Sequence, residues 1–220
     1  MMTQTHFLVG AALFCSPKRP ARQNAAVLIG AFVPDAAIYA LFIWSKLAGI
    51  PEQRLWDVIY FSEPMLTFTA IGNSVPLYAV VAILGIAEVR SASAELAGGP
   101  NGQIPLGLSR FIDPDYTNVL VLFGLGALAH VGLDFPVHAG DAHPHFWPVT
   151  DWRFFSPISY WDSAHFGDWF APVEALLGIA LAVLVFRRFT ALWVRIMTAA
   201  LIIAYIAVPV YFTLVLGGGA

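Results

Sequence analysis

The stretch VLVLFGLGALAHVGLDFPVHAGDAHPH, residues 119–145, passes from a long apolar segment directly into a cluster of histidines and aspartates. It contains four of the six histidines in the chain. An apolar segment of about 20 residues is long enough to cross a bilayer as a helix. Ionisable side chains at the end of such a segment are costly in lipid and are found where they have partners or a function. The stretch therefore predicts a membrane helix that carries a polar site at its end.

The rest of the chain has the composition of a multi-pass membrane protein. Of its 220 residues, 59% are hydrophobic and only 11% are charged. The apolar runs of bilayer length lie near 25–48, 66–88, 116–134, 169–187 and 192–215. A shorter run, 5–16, would reach only partway across at ~1.5 Å per residue, so we expect a half-helix paired with the next helix. The predicted fold is an all-α membrane bundle in a single domain, residues 1–220, with five transmembrane helices, an N-terminal half-helix and a long His/Asp/Trp-rich outer loop, 135–168.

The basic residues are distributed unequally between the two ends of these helices. Eight of the eleven lie on the side of the turn at 17–24, and three lie on the side of the outer loop. Because positively charged connections stay in the cytoplasm, this predicts a bacterial inner (cytoplasmic) membrane protein whose histidine-rich loop faces the periplasm. A net charge of −3 gives no reason to expect nucleic acid as a partner. The single cysteine, Cys15, lies in an apolar run and is expected to pack rather than react.

Polar residues inside the predicted helices fall at similar depths in the membrane. Helical rise places His6 about 18 Å and Asp35 about 20 Å from the cytoplasmic side. The Asn73–Ser74 step lies near ~20 Å as well, and His130 and Asp134 occupy the last turn and a half of their helix. Four unrelated polar residues, each satisfied locally, are the alternative, but isolated carboxylates in hydrocarbon fit it poorly. We therefore expect one shared layer of polar groups, slightly toward the outer side.

Imidazole and carboxylate side chains without thiolate are suitable ligands for zinc, and also for manganese or iron. His130 and Asp134 are four residues apart, so both project from one face of a helix. A capping hydrogen bond, a polar loop surface or haem ligation by two histidines are the alternatives. All six histidines lie in or beside the expected site, which favours one or two divalent metal ions. The candidate ligands are His6, Asp35, His130, Asp134, His138, His143 and His145.

The outer loop adds groups that are suited to acid–base chemistry. Asp162 and His165 lie there among interleaved tryptophans, which are typical of the membrane interface and suggest a loop that caps the bundle. A catalytic zinc ion lowers the pKa of its bound water toward ~7 and so supplies hydroxide. We expect His165 or Asp162 to serve as the general acid or base.

Several short motifs, taken in order, resemble those of a known family, the bacterial inner-membrane metal-dependent hydrolases. These motifs are Thr5-His6-x-x-x-Gly10, Pro34-Asp35, Asn73-Ser74, His130-x-x-x-Asp134 and Trp147-Pro148. The family pattern is Thr-His, Pro-Asp-x-Asp, His-Ser and His-x-x-x-Asp, and its order is similar to that of zinc-dependent phospholipase C. The resemblance covers most of the membrane bundle. It implies that His6, Asp35, His130 and Asp134 are metal ligands or their close partners.

Two positions depart from the family pattern. Ala37 stands where the second aspartate is expected, and Asn73 stands where the histidine of His-Ser is expected. The loss of two ligand positions implies one metal ion instead of two, or a lost activity. The additional loop histidines could replace the missing ligands or belong to a different site.

Three functions are consistent with these features. The first is a membrane-embedded metal-dependent hydrolase that acts on an amphiphilic ester, either a lipid or a lipid-linked compound, near the outer face. The second is a non-catalytic membrane subunit of a larger complex, with protein partners and a structural or vestigial metal site. The third is a metal or proton transporter that uses the same groups as a relay. The cytoplasmic half of the helices shows no polar path for such a relay. Membrane lipids are expected partners in each case.

Overall fold

The structure is a computed structural model that describes residues 1–98 and 119–216. Within these residues the chain is all-helical and contains no β-strand, which confirms the predicted all-α fold. A π-helical turn, Leu55–Ile59, follows α3, and a 3₁₀ turn, Ser163–His165, precedes α7. The α-helices are α1 (Thr3–Phe14), α2 (Ala21–Leu47), α3 (Glu52–Arg54), α4 (Glu63–Gly72), α5 (Val75–Gly98), α6 (Val119–Asp134), α7 (Gly167–Arg188) and α8 (Leu192–Leu216).

Four helical segments of the described chain are long and apolar enough to cross a membrane, which indicates a membrane protein. They are Ala21–Leu47, Glu63–Val89, Gly167–Arg188 and Leu192–Phe212. Helix α6 is also apolar but has only 16 described residues, and residues 116–118 of the run predicted there lie outside the described residues. Helix α1 has 12 residues, so at ~1.5 Å per residue it is too short to cross, as expected.

The run predicted as one helix over 66–88 is interrupted in the structure. Helix α4 ends at Gly72 and α5 begins at Val75. The Ser74 hydroxyl accepts a hydrogen bond from the Leu77 N–H at 3.2 Å, so Ser74 caps the start of α5. The same hydroxyl donates to the Trp147 carbonyl at 2.5 Å. Because lipid offers no hydrogen bonds, a break inside the membrane requires such protein partners.

Helices α2 and α6 form the most extensive helix contact of the described chain, and glycines allow it. A Cβ atom at Gly30 would lie 2.9 Å from the carbonyl carbon of Phe123, and one at Gly126 would lie 3.1 Å from that of Val27. Two helix backbones therefore approach more closely here than any side chain would permit. This approach places the end of α6 beside the middle of α2.

The half-helix α1 folds back on α2 as the expected hairpin. The side chain of Asn24 accepts from the Ser16 N–H at 3.0 Å and donates to the Ser16 carbonyl at 2.9 Å, which fixes the turn between them. At the same end, Arg188 of α7 donates to the Ala12 carbonyl at 2.6 Å. Helix α1 also contacts α6, α7 and α8, so its N-terminal end lies in the interior of the bundle.

Candidate metal centre

Two histidines from separate helices stack against each other in the interior of the bundle. The imidazole rings of His6 in α1 and His130 in α6 have centroids 3.5 Å apart and planes 11° from parallel. The Nε2 atom of His6 lies 3.0 Å from Oδ1 of Asp134, and the Nε2 atom of His130 lies 3.0 Å from Oδ2. All three residues are buried, and one ligand atom from each lies within 4.8 Å of the others. This group, the His6–His130–Asp134 cluster, could hold a metal ion.

The ring of His130 is oriented by a backbone carbonyl. Its Nδ1 atom lies 2.7 Å from the carbonyl oxygen of Ala31 in α2, so Nδ1–H donates there and Nε2 is left for a ligand. Histidines that bind metals commonly donate their other ring N–H in this way. His138 and His145 show the same arrangement, with Nδ1 2.9 Å from Asp141 Oδ2 and 3.2 Å from the Asn73 carbonyl oxygen, respectively.

Asp35 and His138 lie beside the cluster. The Oδ1 atom of Asp35 is 3.5 Å from Nε2 of His130, and its Oδ2 atom accepts a hydrogen bond from the Thr3 hydroxyl at 2.5 Å. The Nε2 atom of His138 is 3.6 Å from Oδ2 of Asp134. The structure therefore brings together the four residues that the resemblance singled out, and adds one histidine from the connection between α6 and α7.

The hydrogen bonding of the cluster fits a bound cation. Both ring nitrogens of His6 and the Nε2 atoms of His130 and His138 are buried and make no hydrogen bond of acceptable geometry among the described residues. Unpaired polar groups in the interior are costly, and a divalent cation would pair with one ring nitrogen each of His6 and His130 and with the Asp134 carboxylate. The amino group of Met1 also contacts Asp134.

The connection between α6 and α7, residues 135–166 and here called the α6–α7 loop, holds more histidines next to the cluster. The ring centroid of His143 lies 5.2 Å from that of His138 and 6.0 Å from that of His145, and all three are buried. Burial and the neighbouring histidines lower the pKa of His143 to about 3. Burial alone would lower the pKa of His138, but Asp134 and Asp141 outweigh it and raise that pKa to about 9. The lowered pKa favours the neutral imidazole of His143, the form that binds metal ions.

The two positions that depart from the family pattern differ in their surroundings. Ala37 follows Asp35 on α2 and is only partly buried. Asn73 is buried, its side-chain NH₂ donates to the Thr69 carbonyl at 3.0 Å, and its Oδ1 atom has no hydrogen-bond partner in the described part of the chain. The Nδ1 atom of His145 lies 3.2 Å from the Asn73 carbonyl oxygen, so a histidine of the α6–α7 loop is a neighbour of Asn73.

The predicted acid–base pair lies in a more exposed turn of the α6–α7 loop. Asp162 and His165 bind each other, with Oδ2 2.6 Å from Nδ1, and their side chains are 29% and 45% exposed. Asp162 also accepts from the Ala164 N–H at 2.9 Å, and the bond from His165 lowers its pKa. Their role in acid–base chemistry stays a prediction.

One buried carboxylate of this region was missed by the sequence reasoning. Glu174 in α7 is 1% exposed, and its Oε1 atom accepts hydrogen bonds at 2.6 Å from the Met2 N–H and from the Thr5 hydroxyl. The signal was present, because Glu174 is a lone carboxylate inside the apolar run 169–187. The rule that singled out Asp35 would also have found it.

No family model, no curated protein and no solved structure matches this chain. The geometry and chemistry of the site are therefore the basis for its proposed function.

Proposed function

We propose that this protein is a membrane-embedded metal-dependent hydrolase whose cation is held by His6, His130 and Asp134. The observation that carries the proposal is the pair of stacked imidazoles that share one buried carboxylate and leave buried nitrogens without hydrogen bonds. Asp35 and His138 are the adjacent groups that could complete the ligand set. Zinc suits two or three imidazoles with a carboxylate, and manganese or iron are the alternatives.

A divalent cation bound there would supply an acidic water and a Lewis acid for an ester substrate. The residues of this chain prepare the site for it. The two oxygens of Asp134 each lie 3.0 Å from one imidazole, and the Ala31 carbonyl fixes the tautomer of His130. Asp35 keeps a carboxylate oxygen beside His130 and could hold a proton. His165 and Asp162 are the proposed general acid and base, delivered by the α6–α7 loop.

The substrate proposed is an amphiphilic ester, either a lipid or a lipid-linked compound, that reaches the site from the membrane. We count α6 as a fifth transmembrane helix and α1 as a half-helix, with the α6–α7 loop on the periplasmic side of a bacterial inner membrane. Exposed aromatic side chains of that region support an interfacial position, because such rings prefer the headgroup layer. They are Trp152, Phe155, Trp161, Phe166 and Trp169.

Metal content and hydrolysis, measured on the same purified samples, test this proposal. We expect about one zinc ion per chain, and release of product from phospholipid or acyl-ester substrates in mixed micelles. Asp134→Ala should lose both the metal and the activity. His165→Ala should keep the metal and lose activity, because its side chain lies outside the cluster. A metal-free wild-type protein, prepared without chelators, would contradict the proposal.

The alternative is a non-catalytic membrane subunit with a structural metal site. It is favoured by Ala37 and Asn73, which replace two expected ligands. Purification in a mild detergent separates the two functions, since a subunit should bring partner proteins with it. In that case Asp134→Ala should leave the assembly intact, and no hydrolysis should be found with any ester.

A further inference from the structure

The first turn of α1 begins in the interior of the bundle, where Gln4, Thr5 and His6 are buried. The first N–H groups of any helix have no partner within the helix, and lipid cannot supply one. The N-cap residue of α1 is Met2, whose side chain does not cap the helix. Glu174 of α7 takes this role from outside, because its Oε1 atom accepts from the Met2 N–H at 2.6 Å. A carboxylate is also favoured there by the dipole of the helix.

Glu174 makes a second bond to the same turn. The Thr5 hydroxyl donates its single proton to Oε1 of Glu174 at 2.6 Å, so the hydroxyl of Tyr205, also at 2.6 Å, donates to Thr5. Thr5 is fully buried and directly precedes His6. Because consecutive residues of a helix point about 100° apart, holding Thr5 against α7 also fixes the direction of His6 toward α6.

The neighbouring glycine of α7 makes room for this network. Gly178 lies four residues after Glu174 and therefore on the same face of the helix. A Cβ atom there would lie 2.5 Å from Cε2 of Tyr205, so only glycine lets that ring pass and reach Thr5. Helix α7 thus has a carboxylate and a gap at adjacent turns, both used by the bonds to α1.

The second oxygen of Glu174 shows that packing alone does not account for the residue. Its Oε2 atom is buried and has no hydrogen-bond partner among residues 1–98 and 119–216. A half-satisfied carboxylate in the interior is costly, and an apolar side chain would fill the same space without that cost.

We propose that Glu174 is a positioning residue, which through Thr5 and the Met2 N–H holds α1 in the register that presents His6 to Asp134 and His130. Its effect on metal binding rests on the proposed function, whereas its effect on the position of α1 does not. Glu174 itself is not counted among the metal ligands.

Zinc affinity and the visible spectrum of the cobalt-substituted protein test the effect on the metal centre. Glu174→Ala and Thr5→Val should weaken zinc binding by about 10- to 100-fold, as expected for groups that orient a ligand, and should shift the cobalt bands. Thr5→Ser keeps the hydroxyl and should restore the wild-type values. Asp168→Asn removes an exposed carboxylate from the same helix and serves as the matched control.

A crosslink between α1 and α6 tests the position of α1 without any metal. His6→Cys and His130→Cys, combined with Cys15→Ser, place two thiols where the rings stack. Oxidation should form the disulfide readily, and adding Glu174→Ala or Thr5→Val should slow it severalfold, while Thr5→Ser and Asp168→Asn should not. Monodisperse elution in detergent shows that each variant is folded, and the Thr5→Val and Thr5→Ser pair decides the question if Glu174→Ala does not fold.

The two measurements separate the two proposals. If crosslinking depends on Glu174 while the wild-type protein binds no metal, the positioning role holds and the hydrolase proposal fails. Unchanged crosslinking, zinc affinity and cobalt spectrum in Glu174→Ala and Thr5→Val would overturn the positioning role and leave the metal centre in place.

Discussion

Asp134 lies beside two imidazoles at once because it ends α6 at the level where α1 begins. Each of its carboxylate oxygens lies 3.0 Å from the Nε2 atom of a different histidine. In the low-dielectric interior, such a carboxylate attracts a cation far more strongly than it would in water. The charge of Asp134, rather than its hydrogen bonding, should therefore control metal affinity.

Asp134→Asn keeps the size of the side chain and removes its charge. We expect zinc affinity to fall by more than the ~10- to 100-fold that outer-shell substitutions cost. Titration against a competing chelator measures this effect, and Asp151→Asn in the exposed part of the α6–α7 loop is the control. Zinc binding of wild-type strength in Asp134→Asn would contradict a role for the Asp134 charge in metal binding.

Several residues of the candidate site could be predicted from depth alone. Helical rise fixes how far Asp35 and His130 lie from the membrane surface, so their common layer follows from the sequence. The rotation of each helix about its axis does not follow from the sequence. The stacking of His6 on His130 and the role of the Ala31 carbonyl were therefore visible only in the structure. Glu174 was not predicted, although it is a lone carboxylate inside the apolar run 169–187.

At the scale of elements, the α2–α6 contact is what places Asp35 beside His130. Gly30 and Gly126 face the opposite backbone across this contact, and neither leaves space for a methyl group. Membrane helices associate through such small residues, because the hydrophobic effect does not drive their association in lipid. This contact between Gly30 and Gly126 was not predicted. Glycines are frequent throughout apolar runs, and which of them meet depends on how the two helices cross.

Gly126→Ala should push α6 away from α2. We expect a loss of about 1–3 kcal/mol in the free energy of unfolding, the usual cost of overpacking, together with weaker zinc binding. Unfolding in mixed detergent micelles measures the first effect and chelator competition the second. Gly132→Ala on the same helix meets nothing within 4 Å and is the control. Equal stability of the two variants would contradict the role of Gly126 in the α2–α6 contact.

The break between α4 and α5 couples the bundle to the α6–α7 loop through Ser74. Ser74→Ala removes both the cap of α5 and the bond to the Trp147 carbonyl. The expected cost is roughly 1–2 kcal/mol in unfolding free energy, and Ser74→Thr should recover most of it because threonine also caps helices. Thermal unfolding in detergent gives the comparison. If Ser74→Thr is as unstable as Ser74→Ala, the hydroxyl is not what holds the break.

For the whole molecule, the distribution of basic residues is the basis of the proposed orientation, in which the α6–α7 loop faces the periplasm. The turn after α1 is basic and exposed, whereas the α6–α7 loop presents aromatic side chains. The all-helical fold followed directly from composition, because long apolar runs can only form helices or closed barrels in lipid. The interruption of the apolar run 66–88 could not be predicted from composition, because an Asn–Ser step such as Asn73–Ser74 is tolerated inside many helices.

Cysteine labelling tests this orientation. In a Cys15→Ser background, Val149→Cys lies in the α6–α7 loop, where the native side chain is 78% exposed, and Lys18→Cys lies in the basic turn. A membrane-impermeant maleimide should modify Val149→Cys in intact spheroplasts and Lys18→Cys only after lysis. The reverse pattern would place the metal centre near the cytoplasmic face.

The shortness of α1 has a consequence for biogenesis. A helix of 12 residues cannot be retained in a bilayer by itself, so it must enter together with α2, joined by the turn that Asn24 fixes. The ribosome makes His6 and Asp35 long before Asp134, and until α6 arrives these two ionisable groups lack their counterpart. A nascent chain that stops short of α6 should therefore be recognised by quality-control proteases and disappear faster in a pulse–chase than the full-length chain.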